Sequence, residues 1–83
     1  MKILYFAWIR ERIGKDLETL ALPEGVATAA DLRAWLSERD EGYQAALGGG
    51  EDLKVAVNQT IVPWTHPVSE GDEVAFFPPM TGG

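Results

Sequence analysis

The last fourteen residues, EGDEVAFFPPMTGG (70–83), contain a turn, a short apolar run, two prolines and a Gly-Gly end. A turn is predicted at Ser69–Asp72, and Glu73–Phe77 is predicted to be the last strand. The two prolines end this strand because proline has no backbone N–H to donate to a neighbouring strand. The sequence therefore predicts a strand that leads directly into a short tail with a terminal carboxylate.

The two faces of this strand are predicted to have different environments. Side chains alternate along a strand, so Val74 and Phe76 point one way and Phe77 the other. One helix can cover only one face of a sheet, and we expect Val74 and Phe76 to face the core with Ile3 and Tyr5.

Phe77 is then expected on the outer face, beside Phe6 of the first strand and near Ile61. Exposed apolar side chains clustered beside a tail are typical of a partner-binding surface. The alternative is that loops of the same domain cover them.

The first part of the chain is predicted to form a β-hairpin. KILYFAWI (2–9) is a short apolar run rich in strand-forming residues, RERIG (10–14) reads as one helical turn ended by its glycine, and KDLETLALPEG (15–25) is predicted to be a second strand. The apolar run is too short to span a membrane and lacks the flanks of a signal peptide.

One amphipathic helix follows. Thr28 and Asp31 predict a capping box at its start, and the helix should end near Gly42. Its apolar stripe, at helical spacing, consists of Ala29, Leu32, Trp35 and Leu36. Trp35 is therefore predicted to lie in the core, whereas Trp8 and Trp64 fit either the core or an interface.

Shorter elements complete the pattern. A turn at Tyr43–Leu47 and a flexible loop (48–52) precede a strand at Lys54–Val57, a turn at Asn58-Gln59 and a short strand that Pro63 stops. The order β-β-α-β-β-β predicts an α+β domain, a mixed sheet crossed by one main helix. It is the order of the ubiquitin-like β-grasp, in which the first and last strands lie side by side at the centre and the tail leaves the end of the sheet.

Composition narrows the functional classes. Thirteen acidic and seven basic residues give a net charge of −6. Such a surface repels the phosphate backbone, which argues against nucleic acid as a partner. The charge suits a partner with a basic patch, and it equally suits a protein that is only kept soluble by it. The chain has no cysteine, which suits a cytoplasmic protein and leaves no thiol nucleophile. Its single histidine, His66, has no second ligand in register, so a metal site is not expected.

Three stretches resemble one family. KILYFAWIRERIG (2–14), VAVNQTIV (55–62) and above all EGDEVAFFPPMTGG (70–83) are similar to the small, sulfur-carrying subunit of molybdopterin synthase. The resemblance covers essentially the whole chain. It implies a sulfur-carrier domain at residues 1–79 and a reactive tail at residues 80–83.

The resemblance also implies a chemistry. An adenylyltransferase related to those that activate ubiquitin adenylates Gly83 with ATP in trans, and a sulfur donor protein converts the adenylate to a thiocarboxylate. The large catalytic subunit, in a heterotetramer, then takes the sulfur for the pterin precursor. No cofactor or metal is expected to be bound by the chain itself. The predicted partner-binding residues are Phe6, Ile61, Phe77, Pro78, Pro79, Met80 and Thr81.

The tail itself suits this chemistry. An α-carboxyl group has a pKa of about 3.5, so at neutral pH it is an anion that can attack a phosphate. Gly82 and Gly83 have no Cβ and can thread a narrow channel, and Gly82 thereby gives access to the acyl carbon of Gly83.

Three alternatives remain open on the residues alone. The chain could carry sulfur for thiamine thiazole synthesis or for tRNA thiolation, or it could be a ubiquitin-like binding module that is never activated. Length and the FFPP before the tail argue against the thiazole carriers. A binding module would tolerate an added residue after Gly83.

Overall fold

The computed structural model describes residues 1–49 and 52–79, which form one sheet packed against a layer of helices. The elements in chain order are β1 (Lys2–Tyr5), α1 (Ala7–Ile13), β2 (Leu17–Thr19), α2 (Ala29–Ser37), α3 (Glu41–Leu47), β3 (Lys54–Val57), β4 (Thr60–Val62) and β5 (Glu73–Phe77).

The five-stranded sheet has the order β2-β1-β5-β3-β4. β1 and β5 are parallel neighbours in the middle, and the other pairs are antiparallel. The predicted α+β β-grasp class, the bounds of the last strand and its central pairing with the first strand are all confirmed.

The core lies between the inner face of the sheet and the helices. Ile3, Val74 and Phe76 are fully buried and Tyr5 is 1% exposed, as the alternation predicts. These side chains come from the two central strands, whose inner faces meet the buried residues of all three helices. Burial of such side chains stabilises a domain by about 1.5–3 kcal/mol each.

Helix α2 begins as predicted, but it ends at Ser37 and not near Gly42, and it buries a narrower stripe. Thr28 and Asp31 form the capping box, and Ala29, Leu32 and Leu36 are buried. The prediction of a core position for Trp35 is wrong, because its side chain is 37% exposed. Trp35 lies about 100° around the helix from Leu36, at the margin of the buried stripe, and its ring packs under the guanidinium of Arg39.

The first strand is shorter than predicted. β1 ends at Tyr5, and α1 begins at Ala7, so the predicted strand at residues 2–9 and the single turn at 10–14 are wrong in their boundaries. Residues 3–9 are apolar at every position, so their pattern does not show where strand periodicity gives way to helix periodicity. Gly14 ends α1 with a φ of 88°, a left-handed conformation that glycine adopts readily.

Two other elements also differ from the prediction. The second strand covers only Leu17–Thr19, and the turn predicted at residues 43–47 is the helix α3. Asp40 starts that helix by accepting hydrogen bonds from the amides of Gly42 and Tyr43. Residues 50–51 of the predicted flexible loop lie outside the described residues. In the described part of the chain, no helix has the length and apolarity that crossing a membrane requires.

Candidate partner-binding site

An apolar groove of about 770 Å³ lies on the outer face of the sheet, opposite the helices. Strands β1, β3, β4 and β5 all contribute to it. The lining residues are Leu4, Phe6, Ala7, Ala56, Gln59, Ile61, Glu73, Ala75, Phe77, Pro78 and Pro79.

Strand register builds the bottom of this groove. Leu4 pairs with Ala75, Ala75 with Ala56, and Ala56 with Ile61, so one row of apolar side chains crosses four strands. Leu17 pairs with Leu4 and extends the row to the edge strand β2, where it is 47% exposed. The two alanines in the middle are small, whereas Ile61 at the side is large and 68% exposed. A groove results because the centre of the sheet carries the smallest side chains.

Aromatic residues form the end of the groove nearest the tail. The amide of Phe6 donates to the carbonyl of Phe76 at 3.2 Å, which extends the pairing of β1 with β5 by one residue. The Phe6 side chain is 45% exposed, and Phe77 is half-buried beside it on the same face. Pro78 and Pro79 follow directly and also line the groove.

Polar residues form the opposite end. Asn58 and Gln59 both have positive φ angles, as a two-residue hairpin turn between β3 and β4 requires. The Asn58 side chain accepts from the amide of Glu73 and donates to Asp72. Asp72 also accepts from the amide of Ser69, so its carboxylate is used within the turn. Glu73 is the acidic side chain that lines the groove.

The structure brings together five of the residues predicted to bind a partner: Phe6, Ile61, Phe77, Pro78 and Pro79. The other predicted site residues, Met80, Thr81, Gly82 and Gly83, lie outside the described residues. Sequence reasoning missed Leu4, Ala56 and Ala75. Their alternation with buried neighbours on β1, β3 and β5 places them on the outer face, but only the pairing register aligns them in one row.

The remaining aromatic residues belong to the domain body. Trp64 stacks on Phe76, with ring centroids 6.0 Å apart, and its indole N–H donates to the carbonyl of Leu53. Trp8 is half-buried against the core, with the guanidinium of Arg12 4.4 Å from its ring centroid. Both tryptophans therefore pack on the core, which answers the question that the sequence left open.

A cluster of coupled titratable groups lies on the inner side of the sheet, away from the groove. Glu18 accepts hydrogen bonds from the hydroxyls of Tyr5 and Tyr43, both at 2.7 Å, and from Arg39 at 2.9 Å. The ammonium of Lys15 lies 3.5 Å from the same carboxylate. This cluster ties the edge strand β2 to β1 and to the helices.

Burial alone would raise the pKa of Glu18, but the hydrogen bonds from Tyr43, Tyr5 and Arg39 outweigh it and lower the pKa to about 2. For Tyr5, burial and the bond to Glu18 raise the pKa of the hydroxyl. The cluster therefore holds one carboxylate and two neutral phenols at neutral pH, a stable arrangement that serves the body of the domain.

The chain is similar to known proteins in sequence and in fold. The model of the ThiS family matches residues 3–83. The chain is 43% identical to the molybdopterin synthase sulfur carrier subunit of Escherichia coli K12, over 100% of this chain and 99% of the relative. It is similar in structure to the H. volcanii small archaeal modifier protein 1, with a TM-score of 0.74, 25% identity and coverage of 96% of this chain and 97% of that chain.

A further similar structure is a protein–protein complex of subunits 1 and 2 of the molybdopterin-converting factor from Helicobacter pylori 26695. The TM-score is 0.65 at 24% identity, covering 99% of this chain and 96% of that chain. At that identity the likeness concerns the fold.

Proposed function

The chain belongs to the ThiS family and, within it, to the molybdopterin synthase sulfur carrier subunits of molybdenum cofactor biosynthesis, and we propose that the sulfur travels on the carboxylate of Gly83. In this proposal the folded domain holds and presents the tail, and the chemistry takes place inside other proteins of the cytoplasm.

The position of β5 is the observation that carries this proposal. Both neighbours of β5 pair with it, and Phe77 at its end lies opposite Lys54 of β3. Pro78 and Pro79 follow this anchored point beside the apolar groove. A chain of four residues spans at most about 3.3–3.6 Å per residue, so residues 80–83 can reach roughly 13–14 Å beyond Pro79. A partner that covers the groove therefore receives the tail at a defined place, within reach of a recessed active site.

The proposed reaction has three steps. A carboxylate oxygen of Gly83 attacks the α-phosphorus of ATP, pyrophosphate leaves, and an acyl-adenylate forms in the activating enzyme. The terminal sulfur of a persulfide on a donor protein then attacks the acyl carbon and displaces AMP. A thiol reductant cleaves the sulfur–sulfur bond of the resulting acyl disulfide, which leaves a thiocarboxylate on Gly83 and oxidises the thiols to a disulfide. The thiocarboxylate sulfur finally attacks the pterin precursor and displaces an oxygen leaving group, and water hydrolyses the resulting thioester, so the sulfur stays on the pterin and the chain returns as a carboxylate. ATP is used by the activating enzyme in trans, and the large subunit supplies the catalytic residues.

The groove is the proposed docking surface for the large subunit. In the Helicobacter pylori complex, subunits 1 and 2 of the converting factor are bound to each other. The groove of this chain has the character of an interface, with small aliphatic side chains along its bottom, aromatic side chains at one end and polar groups at the other. Assembly into a heterotetramer with two large subunits is part of the proposal.

A mass measurement tests the chemistry. Incubation with ATP, the activating enzyme and a sulfur source should increase the mass by about 16 Da, because sulfur replaces one oxygen. A reaction without ATP is the control and should leave the mass unchanged. An unchanged mass in the complete reaction would instead favour a ubiquitin-like binding module.

The pathway requires a second assay. The loaded chain and the large subunit should together convert the pterin precursor to the dithiolene product. A chain that is loaded but fails here, and that supports thiazole formation or tRNA thiolation instead, would belong to one of those pathways.

A further inference from the structure

Ala7 has a backbone conformation that its side chain disfavours. Its φ is 55°, in the left-handed region, where a Cβ crowds the backbone. Among the described residues, the other non-glycine positions with positive φ are Asn58 and Gln59, and the hairpin turn accounts for both. Ala7 is not in a hairpin, so another part of the structure must hold it in this conformation.

The backbone on both sides of Ala7 is anchored. Phe6 donates its amide to Phe76, and its carbonyl accepts from the amide of Ile9, both at 3.2 Å. Ile9 is fully buried in the core, whereas Phe6 is 45% exposed in the groove. The left-handed residue between them turns the chain from β1 directly into α1. A right-handed conformation would change the direction of the chain, so that Phe6 and Ile9 could not both keep these positions.

Ala7 also contributes directly to the groove, since it is exposed and lines it next to Phe6. Unusual backbone conformations are often retained where they orient a binding surface in advance. Preorganisation raises affinity because the free chain has already lost the freedom that binding would otherwise remove.

We propose that Ala7 is a positioning residue for partner docking: its left-handed backbone orients the Phe6 side chain in the groove that receives the large subunit. This inference rests on the proposed function for the identity of the partner. It concerns a residue that carries no chemistry itself and acts through Phe6.

Three substitutions of Ala7 separate the effect of backbone conformation on binding from the effect of side-chain size. Ala7→Gly and Ala7→Asn introduce residues that tolerate a left-handed conformation, whereas Ala7→Val introduces a β-branched residue that does not. Asn and Val are similar in bulk, so Ala7→Asn controls for the space that a larger side chain takes in the groove. Binding to the purified large subunit is measured by titration calorimetry. The temperature is kept below the unfolding transition of every variant, which circular dichroism determines.

The expected result is that Ala7→Gly and Ala7→Asn bind within about threefold of the unchanged chain, whereas Ala7→Val binds at least about tenfold more weakly. If Ala7→Asn and Ala7→Val weakened binding equally, the size of the side chain at residue 7 would explain the loss, and the proposal would be overturned. The proposal would also be overturned if Ala7→Val bound within about threefold of the unchanged chain, or if Ala7→Gly weakened binding as much as Ala7→Val.

A second measurement needs no partner. A positive φ produces a strong nuclear Overhauser effect between the amide and α protons of the same residue, and residue 7 should show it in the unchanged free chain and in the Asn variant. It should be weak in the Val variant, together with shifted Phe6 ring resonances. If the unchanged chain shows the effect but does not bind the large subunit, the proposed function fails, and the docking role of Ala7 fails with it although the left-handed conformation is present. If the unchanged chain lacks the effect, the role of Ala7 fails.

Discussion

The amide of Phe6 donates to the carbonyl oxygen of Phe76 at 3.2 Å, and this bond joins the end of the first strand to the residue before Phe77. Phe76 points into the core and is fully buried, whereas Phe6 and Phe77 lie on the outer face. The two consecutive phenylalanines of β5 therefore have different roles: Phe76 stabilises the core, and by our proposal Phe77 contacts the partner.

These two phenylalanines provide a matched pair of substitutions. Phe77→Ala should weaken binding to the large subunit by at least about tenfold, because it removes an aromatic anchor beside the tail, and should lower stability only slightly. Phe76→Ala should lower the free energy of unfolding by about 3–5 kcal/mol, because it leaves a cavity in the core. Calorimetric binding and urea unfolding measure the two effects. A large loss of stability with unchanged binding for Phe77→Ala would place that residue in the core and contradict its proposed role.

Filling the groove should block docking. Ala75→Leu adds bulk at the bottom of the groove and should weaken binding to the large subunit by at least about tenfold while the chain stays folded. Thr19→Leu is the control, since Thr19 is exposed on β2 and does not line the groove. It should leave the dissociation constant unchanged. Equal binding by the two variants would show that the partner docks elsewhere.

The terminal carboxylate can be tested without altering the fold. One residue added after Gly83 should leave the unfolding transition unchanged and abolish the mass gain in the loading reaction, because the acyl group would no longer be on Gly83. Circular dichroism and intact-mass spectrometry provide the two measurements. Loading of the extended chain to the normal extent would remove Gly83 from the proposed mechanism.

The cluster around Glu18 predicts a loss of stability in acid. Its pKa is about 2 in the folded chain, below the ordinary value of 4.5, so the folded state binds this proton less readily than the unfolded state. The stabilisation is therefore present above pH 4.5 and is lost as the pH falls from 4.5 towards 2. Glu18→Gln should remove this part of the pH dependence and lower stability at pH 7 by about 2 kcal/mol.

The control for this variant is Glu11→Gln, which removes the same charge from an exposed position on α1. Urea unfolding between pH 2 and pH 7 compares the three chains. The interpretation of the cluster would be wrong if Glu18→Gln kept the acid loss of the unchanged chain.

Close packing of α1 against α3 depends on Gly42. A Cβ at this position would lie 2.7 Å from the carbonyl oxygen of Arg12, a contact that forces the two helices apart. Gly42→Ala should therefore destabilise the chain by about 1–3 kcal/mol, although alanine is the better helix former. Gly71→Ala, where a Cβ meets nothing within 4 Å, is the control and should change stability little. A more stable Gly42→Ala variant would show that the helices adjust without strain.

The sequence by itself determined the last strand, the face on which Phe76 is buried and the start of α2 at its capping box. These features depend on local signals, namely side-chain alternation, prolines that cannot pair and a capping residue at the correct spacing. The resemblance in residues 70–83 identified the family for a related reason, because its motif is contiguous in the chain.

Only the tertiary structure decided where β1 becomes α1, that Trp35 is exposed, and that Leu4, Ala75 and Ala56 form one row. A run that is apolar at every position fits a strand and a helix equally well, and burial of the core on one side chooses between them. Register is a relationship between strands that are distant in sequence, and no local signal encodes it. The groove depends on this register, because four strands align small side chains in the middle of the sheet and larger ones around them.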